Sequence, residues 1–416
     1  MRSEVVMRRA PLRLVRPGEV PPAVARARAE RRARRTLTMA ALSVAILTMA
    51  GLVMVLSASS VSAFAAYGSS FLFFKRQVLY AGLGTVALLG AARLDYRAWQ
   101  RAWAPLFAVS VLLLVLVLHP GAGTVVGGAA RWIQLGPFSV QPSELAKFAV
   151  VAGTASILSR NTGRVETEPL HVMLPLFVIV GGVSLLVMLQ PDLGTMTVIV
   201  GTAFVLLFLA GFRLRLLATS FVLSAAVGTA LIFGEHYRRA RLLSFLHPWS
   251  DPRNTGYQIV QSLIALGSGH LFGVGLGASR QKWMYVPNAH TDFIFSILGE
   301  ELGLLGEIAV LALFGALLVA GVRIALRAPD PFGRLLAGGI TAWLGLQALI
   351  NLGAVTGMLP ITGVPLPFVS FGGSSLVVSM ASVGVLMSVG RAGIDQARRG
   401  TRAGGVRARG GPRRHR

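Results

Sequence analysis

Apolar residues fall in long unbroken runs, rather than in the alternation of a half-buried strand or the single stripe of an amphipathic helix. The first run, Leu37 to Leu56, carries no charge. It matches the ~20 residues a helix needs to cross ~30 Å of hydrocarbon. Comparable runs recur near 76–93, 103–119, 143–159, 172–189, 194–211, 214–234, 293–322, 333–357 and 374–391. The pattern predicts an all-α integral membrane protein of about ten transmembrane helices, with a long structured outer loop between the seventh and eighth. A secretory signal does not account for the first run, which is too long and is followed by about nine more. No internal repeat of the kind that marks an inverted-repeat transporter is visible.

Composition agrees: 54% of residues are hydrophobic and 13% charged, against roughly 25% charged in soluble domains. The absence of cysteine excludes disulfides and thiolate metal sites. A net charge of +24 would point to nucleic acid in a soluble protein, but its distribution points elsewhere. Residues 1–36 carry 11 arginines and residues 391–416 carry 9, half of the 40 cations. No nucleic-acid-binding fold or aromatic interleaving accompanies them, so membrane lipids, not nucleic acid, are their expected partner. Three segments follow: a basic, disordered tail over 1–36, a polytopic membrane domain over 37–395, and a second such tail over 396–416. An even number of helices puts both tails on one side. Arg93, Arg97, Arg101, Arg213, Arg215, Arg323, Arg327 and Arg334 fall on that side too. By the positive-inside rule it is cytoplasmic.

Three outer segments are unlike simple connectors: Gly121 to Ser143, Glu235 to about Asp292, and Leu359 to Ser374. Each mixes Gly, Pro and aromatic residues and is too apolar to float in water. Such segments re-enter the membrane or cap a cavity, because irregular backbone survives at depth only where protein or water satisfies it. The second breaks the charge rule with Arg238, Arg239, Arg241, Arg253, Arg280 and Lys282. Long loops cross regardless of charge. Charge alone leaves two readings level, a solvated basic surface and a site for a phosphate-bearing ligand.

Four motifs then stand in order: ARWIQLGPFSVQPSELAK at Ala130–Lys147, QPDLGT at Gln190–Thr195, the stretch Gly256–Gly306 containing SRQKWMYVPNAHTDFIFSILGEELG, and GMLPITGVPLPFVSFGGSS at Gly357–Ser375. Together they resemble the SEDS family (shape, elongation, division and sporulation), and the third resembles its FtsW division branch and sporulation relative more than its RodA branch. The chain departs from the family pattern at Gly127, Ala130, Asn288 and Phe371. The first two positions usually hold an amide side chain and an arginine, the third an acidic residue and the fourth Tyr.

The resemblance implies a peptidoglycan glycosyltransferase that polymerises lipid II, an undecaprenyl-pyrophosphate disaccharide-peptide, in cell division. A hydroxyl of one disaccharide displaces polyprenyl pyrophosphate from another, with inversion. Such chemistry needs a base for the hydroxyl proton and cations for the departing diphosphate. A single direct displacement does not require the carboxylate pair of retaining hydrolases. Position alone favours a helix cap for Asp292; the resemblance reverses that, because Asp292 matches the family's essential aspartate and is the expected catalytic base. Glu144 and Lys147, three apart on one helix face, form an ion pair or line the cavity. Arg131, Trp132, Lys147, Arg280 and Lys282 are candidate substrate contacts. Glu300, on one face with Glu307, is a supporting residue, and His290 a proton relay or a structural ring. Asp192 and the Ser374–Ser375 pair read as caps.

No metal-ligand spacing is present and no cofactor is evident; a divalent cation on the pyrophosphate is compatible with the sequence. The resemblance further implies a protein partner, a class B penicillin-binding protein transpeptidase, packed on the eighth and ninth helices and the outer loop. A lipid II flippase, or a non-catalytic division scaffold, would share this membrane body.

Overall fold

A computed structural model describes residues 22–126, 129–136, 138–233, 245–283 and 285–407. The apolar runs are helices, because a chain in hydrocarbon can satisfy its own backbone only in a helix or closed barrel. In order they are α1 (Pro22–Tyr67), α2 (Leu72–Arg93), α3 (Arg97–Leu118), α4 (Pro142–Arg160), α5 (Pro169–Leu189), α6 (Leu193–Leu209), α7 (Leu214–Phe233), α8 (Tyr257–Ser268), α9 (Ile294–Leu326), α10 (Pro331–Val355) and α11 (Gly373–Arg407). Seven of them, α1 to α3, α5 and α9 to α11, are long and apolar enough to cross a membrane; α6 and α7 are apolar but shorter. The chain is a multi-pass membrane protein.

Several expectations need correction. Helix α1 begins at Pro22 and α11 runs to Arg407, so residues 22–36 and 396–407 extend helices where disordered tail was expected. Arg398 clasps Glu30 through two nitrogens, at 2.9 and 3.1 Å, and joins the two extensions. Residues 1–21 and 408–416, with Gly127, Arg238, Arg239 and Arg241, lie outside the described residues. The all-helical body also carries a three-stranded antiparallel sheet in the first outer segment: β1 (Thr124–Val126), β2 (Ala129–Leu135) and β3 (Phe138–Val140). Its register pairs Thr124 with Trp132 and Leu135 with Phe138.

Helix α9 is not continuous. Gly303 adopts φ 67°, ψ −169°, a conformation open to glycine because it lacks Cβ. The break frees carbonyls below it and N–H groups above it, and the loop after α8 takes up both. Val274 and Gly275 donate to the carbonyls of Glu300 and Glu301, while Leu304 and Leu305 donate to those of His270 and Leu271. Glu300 and Glu307 therefore share no single helix face, and the Glu307 carboxylate rests against Gly299.

At the opposite end, Asp330 caps α10 by accepting from Gly333 N at 2.7 Å. It also accepts from Tyr96 Oη at 2.5 Å and from Arg97 at 3.0 and 3.2 Å. Burial pushes the Asp330 carboxyl up, but the bonds from Tyr96, Gly333 and Arg97 outweigh it and hold the group below its ordinary value. A lowered folded value means the stabilisation is complete above the usual carboxylate range and is lost as pH falls through that lowered value. The unfolding temperature should therefore drop on acidification from about pH 5 to about pH 3. Asp330→Asn should start lower at neutral pH and lack that acid-sensitive component; an identical pH dependence in both proteins would contradict the clasp.

Candidate active site

The third outer segment, 359–372, folds over the start of α9 and is held there by two amides from α10. Asn351 Nδ2 donates to the carbonyls of Asp292 and Val364, 2.8 Å each. One turn earlier, Gln347 Nε2 donates to the Pro365 carbonyl at 3.0 Å. Side chains four apart on a helix share a face, so one strip of α10 fixes both the segment and the backbone of Asp292. Asp292 is half-buried. The α9 N-cap position is the next residue, Phe293, which has no side-chain cap. The Asp292 carboxylate faces Gly363: a Cβ added there would lie 3.6 Å from Oδ2. Because Gly363 has no side chain, nothing from that residue covers the carboxylate.

The cations divide into two groups. Lys147 is 2% exposed; its Nζ donates to Glu144 at 2.9 Å and Gln347 Oε1 at 2.7 Å, and lies 5.1 Å from the Trp343 ring centroid. Lys282 is likewise buried, donating to the Gly277 carbonyl and lying 3.7 Å from Glu301. Both ammonium groups, candidate diphosphate contacts by sequence, are held by buried carboxylates, which offset the desolvation of each. Arg280 is different: its side chain is exposed.

The buried Glu300 carboxylate shapes the Arg280 turn. It accepts from Ser279 Oγ, from Arg280 N at 2.9 Å and from Gln281 N at 3.4 Å. Glu301 beside it accepts from Ser57 Oγ of α1 at 2.5 Å. Glu300 thus acts on the loop rather than facing a ligand.

Arg131, half-buried on β2, donates to the carbonyls of Gln190 (2.9 Å) and Pro191 at the end of α5. Trp132, also half-buried, sits opposite Thr124 in the sheet. Asp192 caps α6, accepting from Thr195 N at 3.1 Å and Oγ1 at 2.8 Å. Ser374 Oγ accepts from Gln141 N at 3.1 Å, tying the first outer segment to α11. The His290 ring lies between Phe73 and Phe371, with centroids 4.7 and 5.7 Å away. Burial lowers it to about 4, so it is uncharged at neutral pH.

The structure thus gathers Asp292, His290 and the 359–372 segment, and turns Lys147 and Lys282 inward. Gln347, Asn351, Ser57 and Ser279 were missed by a search for ionisable groups. The QALIN spacing of two amides in an apolar span was the signal available for the first two. A separate apolar cavity of about 670 Å³ lies among α4 to α7, lined by Met173, Phe177, Phe204 and Phe221 and by none of the candidate residues.

A family model described as cell cycle protein, covering FtsW, RodA and SpoVE, matches residues 37–393. The chain belongs to the FtsW/RodA/SpoVE family. This family member is 46% identical to stage V sporulation protein E of Bacillus subtilis over 360 residues, 85% of this chain and 96% of that one. It is also 46% identical to the probable peptidoglycan glycosyltransferase FtsW of Geobacter metallireducens over 343 residues, 82% of this chain and 91% of the relative. Among solved structures it resembles a chain from work on coordinated polymerization and crosslinking by a peptidoglycan synthase complex. That match has a TM-score of 0.71 and 32% identity, covering 85% of this chain and 96% of that one. The crystal structure of the rod shape determining protein RodA of Thermus thermophilus matches with a TM-score of 0.62 and 31% identity, covering 85% and 95%.

Proposed function

We propose that the chain is a peptidoglycan glycosyltransferase that polymerises lipid II with Asp292 as general base, working in cell division at the bacterial inner membrane with both termini cytoplasmic. The observation that carries this is the Asp292 carboxylate beside Gly363, its backbone pinned to the 359–372 segment by Asn351. Relatives named for this activity and for FtsW support it. The acceptor hydroxyl gives its proton to Asp292 as its oxygen bonds to the anomeric carbon of the donor sugar. The bond from that carbon to the polyprenyl diphosphate breaks, and the diphosphate takes the electron pair. Attack opposite the leaving group inverts the centre. The exposed Arg280 is the candidate cation for the departing charge, with Arg131 a second after exchange of its carbonyl partners. The tail-side arginines support the orientation. A class B penicillin-binding protein is the partner, in keeping with the synthase complex among the structural relatives.

Purified protein incubated with lipid II, alone and with that transpeptidase, should yield a ladder of glycan chains on a gel. Lipid II crossing vesicle bilayers with no ladder under either condition would identify a flippase and overturn the reading. Asn351→Leu should fold yet lower kcat by roughly 10²-fold with little change in KM, since displacing a reacting group by about 1 Å has that effect. Unchanged kcat would show that the amide does not position Asp292.

A further inference from the structure

The loop that plugs the break in α9 has a surface that the reaction does not use. From Leu271 to Ser279 it reads LFGVGLGAS, with no charge. Leu271, Phe272, Val274 and Leu276 are between 46% and 79% exposed. Around them the N–H groups of Val274 and Gly275 and the carbonyls of His270 and Leu271 are paired with α9, and Gly273 N donates to the Gly269 carbonyl at 2.7 Å. Irregular chain near membrane depth needs protein partners of this kind for its backbone.

The same bonds set its depth. Arg323 marks the tail-side end of the α9 span and follows Gly303 by 20 residues. At 1.5 Å per residue that is about 30 Å, the thickness of the hydrocarbon core. The break therefore lies at the far boundary of the hydrocarbon, and the loop lies with it. Its apolar side chains continue the exposed stripe of Leu304, Leu305, Ile308 and Leu311 on α9. Trp283 and Tyr285, also exposed, follow directly after Lys282. Aromatic rings of that kind concentrate at the headgroup level.

We infer that the 271–276 loop is a re-entrant anchor, with Leu271, Phe272, Val274 and Leu276 inserted among acyl chains of the leaflet opposite the chain termini. Its bonds to Glu300 and Glu301 make it the element that fixes the height of the first half of α9 in the bilayer. Bilayer lipid is the occupant favoured here: the loop is uncharged and continuous with a membrane-spanning apolar stripe.

The cysteine-free sequence makes the test direct. Phe272→Cys and Leu276→Cys, each labelled with an environment-sensitive nitrobenzoxadiazole probe, are reconstituted as full chains in phosphatidylcholine–phosphatidylglycerol vesicles. Thr255→Cys, in the exposed polar turn around Asp251, is the reference. Spin-labelled lipid should quench both loop probes at least severalfold more strongly than aqueous iodide does, and the Thr255 probe should show the reverse. Iodide quenching of the loop probes equal to that at Thr255 would overturn the anchor. Protection of both loop probes from both quenchers would also overturn it, in favour of a protein partner or a second copy on this face.

Discussion

Asp292→Asn is expected to lower the initial rate of glycan synthesis by roughly 10²–10⁴-fold, the usual contribution of a positioned general base. The amide keeps the size of the carboxylate but cannot take a proton. Asn351 holds Asp292 by its backbone carbonyl, so the substitution leaves that clasp in place. The loss should accordingly fall on kcat. Asp292→Glu should lose less, because it keeps the base but pushes it toward Gly363. A folded Asn variant that polymerises at the wild-type rate would remove Asp292 from the chemistry.

The second large effect belongs to stability. Lys147→Met should destabilise the protein by about 3–5 kcal/mol, the consequence of stranding a buried charge. Glu144 would be left 1% exposed without its ion-pair partner, and its Oε2 already lacks a hydrogen-bond partner. Gln347 would lose a donor as well, loosening its grip on Pro365. The double variant Glu144→Leu with Lys147→Met removes both charges and should recover most of the stability, as replacement of buried pairs by apolar residues often does. It should also recover glycan synthesis, measured beside the unfolding temperature. A double variant that folds but does not polymerise would return Lys147 to the role of a ligand contact.

The contrast between Lys147 and Lys282 shows what the sequence could reveal. Glu144 and Lys147 are three apart, within reach of each other on any helix, so their pairing was legible. Lys282 meets Glu301 only because the loop after α8 folds back on a broken helix. No periodicity encodes that meeting, and charge alone leaves a solvated surface and a ligand site level for such a lysine. The break itself was hidden because GEELGLLG has the apolar content of an uninterrupted span. Strands of three to seven residues in the first outer segment were too short to imprint an alternation. The long apolar helices were legible, since hydrocarbon leaves a spanning chain few alternatives, whereas the short α8 inside the second outer segment was not. Asp292 stood out through the motif around it, whereas Asn351 and Gln347, being neutral, drew no attention until their contacts were visible.

The central claim is proton transfer to Asp292, and the pH dependence of the single-turnover polymerisation rate tests it most directly. Wild-type protein should show an acid limb of unit slope, and the residual rate of Asp292→Asn should be flat over the same range. An acid limb that persists unchanged in the Asn variant would place the base on another residue.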